Sequence, residues 1–205
     1  MRFKRLGSVR KLIRKMLPTI ETNVETSTWL HLSAVSTFAS MLAMRRGQDS
    51  EIAAIAGLLH DYYFYKTGIK DFPGPNSADA VRPIIRGMQI FTDEELTVIL
   101  RSIFYQEDRH QIHGPYEEII KDAVLLQAYF QDTRKKPSKT DIHRLRNVFV
   151  ELEISDERIG TESKIDQKMM NLNFEDRRLM LADFSEMLAG QNIIGIPEDA
   201  RYREI

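Results

Sequence analysis

Residues 51–66, EIAAIAGLLHDYYFYK, decide how the chain is read. Ile52, Ile55, Ala56 and Leu59 recur at helical spacing, and Asp49 or Ser50 stands where a helix cap is needed. The pattern predicts a helix from Glu51 to about Asp61 that ends on an imidazole and a carboxylate, His60 and Asp61. Adjacent helical residues point about 100° apart. A helix end can adjust, so His60 and Asp61 can reach one ion, but the spacing does not demand it. Tyr62, Tyr63, Phe64 and Tyr65 follow. Such a run reads as core and pocket wall, with at least two of the four in the core. The functional use would be stacking on a base or shaping a pocket.

Upstream, Thr26 or Ser27 can cap a helix that runs to about Met44, with Gly47 just past its end. On it, His31 shares a stripe with Val35, Phe38 and Leu42, which turns the imidazole toward the core. Downstream, Pro115 suits a first helical position, and a helix from Pro115 to Phe130 puts Asp122 on one face with Ile119, Leu125, Leu126 and Tyr129. A carboxylate on an apolar face is costly unless its charge is compensated. Two imidazoles and two carboxylates from three helices can form a mixed nitrogen and oxygen metal site. Residue spacing leaves other readings open. His31 can be a satisfied core histidine, His60-Asp61 a plain helix end, and Asp122 the partner of a buried lysine or arginine.

Helical periodicity dominates the rest, with no alternating run long enough for a sheet. Helices are expected at about residues 3–17, 76–86, 93–105, 140–152 and 174–189. Thr67–Pro75 and Gln106–Gly114 read as loops, Thr133–Ser138 as a connector, and the residues from Ile196 as a tail. The expected organisation is one all-α domain over residues 1–205, with the chemistry in about 20–132 and a helical extension on the same core over 133–205. The 205 residues are 42% apolar and 29% charged, with a net charge of −1, so global charge does not drive the chain onto nucleic acid or membrane. Without cysteine there are no disulfides, thiolate metal sites or cysteine nucleophiles. No apolar run reaches membrane-spanning length and no secretory signal is apparent, so a cytoplasmic protein is expected. The first helix is basic, with Arg2, Lys4, Arg5, Arg10, Lys11, Arg14 and Lys15 before any acid. Such a helix can lie on anionic membrane or nucleic acid, although solvated charge is its ordinary reading.

The segments HLSAVSTFASMLA (31–43), IAAIAGLLHDYYFYKTG (52–68), GPNSADAVRPII (74–85) and YEEIIKDAVLLQAYF (116–130) together resemble the HD-domain superfamily of metal-dependent phosphohydrolases. The resemblance covers about residues 28–131. It implies a compact all-α helical bundle, here with additional C-terminal helices. It also implies that His31, His60, Asp61 and Asp122 hold one divalent metal ion, for which iron, manganese, nickel, cobalt, zinc or magnesium are all candidates. The expected substrate is a nucleotide or another phosphate ester.

The sequence departs from that pattern in three places. Pro73 and Gly74 stand where many members have a histidine before the GPNSA-like segment, and Tyr105 and Gln106 stand near the place of another. Without them, one metal is expected rather than two. His110 and His113 lie nearby in a loop and read as solvent-exposed. The glutamate that some one-metal members carry soon after His-Asp is absent, which leaves Asp61 as the candidate proton acceptor. Lys66, Arg82 and Arg86 are the candidate phosphate contacts. Asn76 and Ser77 can face the site or simply start a helix. The alternative to an enzyme is a degenerate HD domain that binds metal, nucleotide or a protein partner without turnover. A homo-oligomer is compatible with either.

Overall fold

The computed structural model describes residues 4–17, 22–132, 136–156 and 159. They form α1 (Lys4–Met16), α2 (Thr22–Arg45), α3 (Ser50–Leu59), α4 (Tyr62–Thr67), α5 (Pro73–Gly87), α6 (Asp93–Phe104), α7 (Pro115–Gln131) and α8 (Lys139–Glu151). No strand occurs among the described residues, so the fold is all-α as expected. The helix expected near 174–189 and the tail from Ile196 lie outside the described residues.

The chain divides into two compact units, Met1–Asp141 and Ile142–Ile205. The first unit is built around α3, whose residues from Ile52 to Leu59 are all buried. α1, α2, α6 and α7 all pack on it. Small residues make this possible: Ala53, Ala54, Ala56 and Gly57 let neighbours approach from several sides. A Cβ on Gly57 would sit 3.0 Å from the Val35 carbonyl oxygen and 3.1 Å from the Ala39 methyl, so glycine sets the contact between α2 and α3. Leu32, Val35, Ala39 and Leu42 supply the facing stripe of α2. Each large aliphatic side chain buried this way contributes about 1.5–3 kcal/mol. Asp49 caps α3, accepting from the backbone N–H groups of Glu51 and Ile52 at 2.8 and 3.0 Å.

α1 is amphipathic, with Leu6, Val9 and Ile13 buried. Part of its basic charge is used internally. Arg5 bonds Glu51 at 2.8 Å and Glu95 at 2.7 Å, and Arg14 lies 4.2 Å over the Trp29 ring. Among the described residues no helix is long and apolar enough to cross a membrane.

Three boundaries differ from the sequence reading. α2 begins at Thr22, ahead of the Thr26 or Ser27 cap that the sequence suggests. α5 begins at Pro73 rather than Asn76, because prolines in a first turn give up no hydrogen bond. Gly74 permits this start: a Cβ there would lie 2.5 Å from the Phe104 carbonyl oxygen, so the first turn of α5 rests against the end of α6. The third difference falls on the candidate ligands themselves. α3 stops at Leu59, His60 and Asp61 form a turn, and a separate short helix starts at Tyr62. In the second unit, Leu145, Val148, Phe149 and Val150 of α8 are buried, and Arg146 Nε donates to the Ile159 carbonyl at 2.6 Å.

Candidate metal centre

The turn at residues 60–61 solves the problem that a continuous helix would pose. Asp61 leaves helical geometry (φ −110°, ψ 20°), and its carboxylate swings toward the imidazole of His60 instead of pointing about 100° away. Asp61 Oδ2 lies 3.3 Å from His60 Nε2. From α2, His31 brings its Nε2 to 3.2 Å from His60 Nε2 and 3.6 Å from Asp61 Oδ2. Among the described residues, His31, His60 and Asp61 are the group whose ligand atoms converge closely enough to share an ion.

Hydrogen bonds outside the triangle fix its orientation. His60 is fully buried, and its Nδ1 donates to the Gly57 carbonyl at 2.8 Å. In the neutral ring that leaves the Nε2 lone pair aimed at the other two donors. Gln106, 3% exposed, donates through Nε2 to the His60 carbonyl at 2.8 Å and more loosely to Asp61 Oδ1 at 3.4 Å. Oδ1 is thereby turned outward and Oδ2 inward.

Three electron-rich atoms at such distances need a shared positive charge. Burial opposes a charge on His60, but the Asp61 carboxylate and the Gly57 carbonyl lift it above an ordinary histidine. Burial alone would raise Asp61, whereas His60 and His31 hold its carboxyl far below the usual range. Burial and the Asp61 charge push the Tyr65 hydroxyl up to about 12. The Tyr65 ring stands 5.8 Å from that of His31. Partial burial and Asp61 also push Glu107 up, which places another carboxylate within electrostatic reach of the site.

The donor set fits a divalent metal. Bonds of about 2.1 Å put neighbouring donors about 3.0 Å apart at a right angle and about 3.4 Å apart at the tetrahedral angle. The observed 3.2, 3.3 and 3.6 Å need only small adjustments to meet either arrangement. Two imidazoles and one carboxylate with open positions suit iron, manganese, nickel, cobalt or zinc better than magnesium, which prefers oxygen. Residues 28–183 match the family model of the HD domain, more than half of the chain. The chain belongs to the HD-domain family. No curated protein and no solved structure matches it. HD domains are a metal-dependent phosphohydrolase family, and the convergence of His31, His60 and Asp61 is this HD domain's own candidate for the metal centre.

The structure does not bring Asp122 to this cluster. Its Oδ2 accepts from Arg46 Nη2 at 2.6 Å. Arg46 lies fifteen residues beyond His31, just past α2, which is about 22 Å of helical rise. The buried carboxylate is compensated by a guanidinium, one of the readings that the sequence left open. Lys66 is not at the cluster either. Its Nζ donates at 2.6 Å to the Met16 carbonyl, one of the last carbonyls of α1, which lack helical partners. Arg82 and Arg86 line a groove between α5 and α6 instead. Asn76 donates to the Asp71 carbonyl and Ser77 Oγ accepts from the Tyr63 N–H, so both serve the local fold. Of the four aromatics after Asp61, Tyr62 alone is fully buried, because so short a helix turns only one face inward.

His110 is exposed as expected, but His113 is not: its Nδ1 meets the ammonium of fully buried Lys121 at 2.8 Å and its ring stacks on Tyr105 at 4.1 Å. Buried Lys121 requires acceptors, and the histidine is one of them. Gln106 and Glu107 are the residues at the centre that sequence reasoning passed over. The available signal was position: Gln106 falls near the place where the family pattern has a further histidine.

Proposed function

We propose that this HD domain is a metal-dependent phosphohydrolase with one metal ion, acting on a nucleotide or another phosphate ester. The observation that carries the reading is the close convergence of His31 Nε2, His60 Nε2 and Asp61 Oδ2 inside a family defined by such a site. Those three atoms would hold the ion. When bound, a divalent ion supplies Lewis acidity and makes water a nucleophile near neutral pH. His31 and His60 act as neutral donors, and the Nδ1 bond of His60 keeps its lone pair aimed correctly. Asp61 combines two roles. Oδ2 faces the imidazoles and would hold the ion, while Oδ1, bonded only loosely to Gln106, would take a proton from an attacking water. Tyr65 stands beside His31, where it can shape the pocket or meet a substrate ring.

A specific observation favours a second reading. With Asp122 paired to Arg46, three protein donors converge rather than four. A centre with fewer donors holds metal less firmly, which suits a domain that senses metal or nucleotide without turnover.

One experiment separates the two. The protein is loaded with manganese, nickel, cobalt or iron and assayed for phosphate release from a panel of nucleotides. Turnover that needs metal and is lost in Asp61→Ala supports the enzyme. Turnover that survives in Asp61→Ala removes the proposed mechanism, and metal binding without turnover on any nucleotide supports the sensor.

A further inference from the structure

A groove of about 460 Å³ lies between α5 and α6, within the range of small-molecule sites. Its lining combines three arginines, Arg82, Arg86 and Arg101, with two aromatic rings, Phe104 and Tyr105. Arg82 and Arg86 stand one helical turn apart on the outer face of α5, whose inner face buries Ala78, Val81 and Ile85. Arg101 approaches from α6. Like charges held around one cavity repel unless an anion lies among them, and Asp93 is the sole carboxylate in the lining.

The existing partners of these arginines leave them available. Arg82 meets Asp79 at 3.2 Å, but both side chains are well exposed, so the pair is weak. Arg101 uses its Nε on Glu117 at 3.0 Å. The Arg86 side chain makes no ion pair or hydrogen bond among the described residues.

The groove also has two chemically different ends. The contact of Gly74 with the Phe104 carbonyl fixes the start of α5 against the end of α6. The aromatic rings therefore lie at that end, and Arg82 and Arg86 lie progressively further along α5 toward Asp93. Phe104 is 46% exposed, a large ring presented to solvent.

The geometry points to a second binding site, for a nucleoside polyphosphate, with the base against Phe104 and Tyr105 and the phosphates on Arg82, Arg86 and Arg101. Guanidinium forks match phosphate oxygens, and an exposed ring offers a stacking surface to any base. The site is separate from the metal centre. Its lining includes none of His31, His60 and Asp61, and from Tyr105, the chain neighbour of Gln106, the groove runs away along about 18 Å of α6 to Asp93. Binding here requires no metal and no turnover, so it stands whether the metal centre is catalytic or not.

The test is calorimetric titration of the full chain with ATP in the presence of EDTA. Wild type is expected to bind, inorganic triphosphate to bind more weakly, and adenosine more weakly still. The ATP and triphosphate affinities should fall with added salt. In Arg82→Ala/Arg86→Ala the ATP affinity is expected to drop at least about tenfold, while His31→Ala is unchanged. Both arginines are exposed, so the variant keeps its core. No ATP binding by wild type in EDTA, undiminished binding in the double variant, or loss of binding in His31→Ala would each overturn the site.

Discussion

Two polar constellations lie in the first unit, and they are built in opposite ways. Lys121 is wholly buried, yet its ammonium donates to the Gln111 carbonyl, His113 Nδ1 and Glu118 Oε1, each at 2.8 Å. Three protons meet three acceptors, and the group is complete without any ligand. The His31–His60–Asp61 cluster reverses that balance. With both rings neutral and their Nε2 atoms unprotonated, its three inward atoms are acceptors drawn within 3.6 Å of one another, while His60 Nδ1 is held by the Gly57 carbonyl and Asp61 Oδ1 meets Gln106 at 3.4 Å. A satisfied buried cation holds a loop in place; converging acceptors call for a cation. Burial alone does not distinguish a structural polar group from a functional one, but the count of donors against acceptors does.

The largest effect expected from breaking this contrast is on stability. Lys121→Met keeps the apolar stem but removes the donor shared by the Gln111 carbonyl, His113 Nδ1 and Glu118 Oε1, of which Glu118 keeps the His113 N–H at 3.0 Å. The cost should be about 2–3 kcal/mol, and at about 2–4 °C per kcal/mol for a chain of this size, thermal denaturation should show a midpoint lower by about 4–12 °C. Metal stoichiometry should stay that of wild type. A Lys121→Met protein that melts normally but fails to take up metal would reverse the assignment of the two constellations.

The same contrast explains what could be read from the sequence. Helix faces were legible because burial follows periodicity: His31 and Asp122 are each set among the apolar residues of their helices, and α3 is apolar from Ile52 to its end. The cap at Asp49 was legible for the same local reason. What periodicity cannot report is which buried polar groups meet. Asp122 looks equivalent to His31 in its own helix, yet Arg46 reaches it from the far end of α2. The end of α3 near Asp61 was legible, but the separate helix that restarts at Tyr62 was hidden, because no glycine or proline marks the break. Gln106 carried only a positional signal, near the place of a family histidine, and nothing in that signal told that its amide spans two ligand residues.

Gln106 provides the next largest effect. It bonds the backbone of one expected ligand and the outward oxygen of the other, so it orients both without needing to touch an ion. Gln106→Leu retains a similar volume and removes the amide. Loss of such an outer partner typically costs about 10–100-fold in metal affinity. Competition with a chelating indicator would measure it, and Gln106→Glu, which keeps an acceptor but loses the donor, should not restore it. An unchanged affinity in Gln106→Leu would show that Asp61 is held by the turn alone.

The smallest expected effect is the most discriminating. The family resemblance makes Asp122 a ligand equal to His31, whereas the structure gives it to Arg46 at 2.6 Å. Asp122→Asn retains an acceptor for that guanidinium and removes the negative charge that a metal would prize. If the ion sits on His31, His60 and Asp61, affinity should remain within about twofold of wild type, since the Asp122 charge is already compensated by the Arg46 guanidinium and supplies no donor to the ion. Stability should fall by about 1 kcal/mol as the charge-assisted bond weakens. If Asp122→Asn instead loses metal as severely as His31→Ala, the carboxylate must reach the ion in the loaded protein. The Arg46–Asp122 pair would then have to open and α7 shift along α2, making this ion pair the latch of an empty site rather than a fixed element of the core.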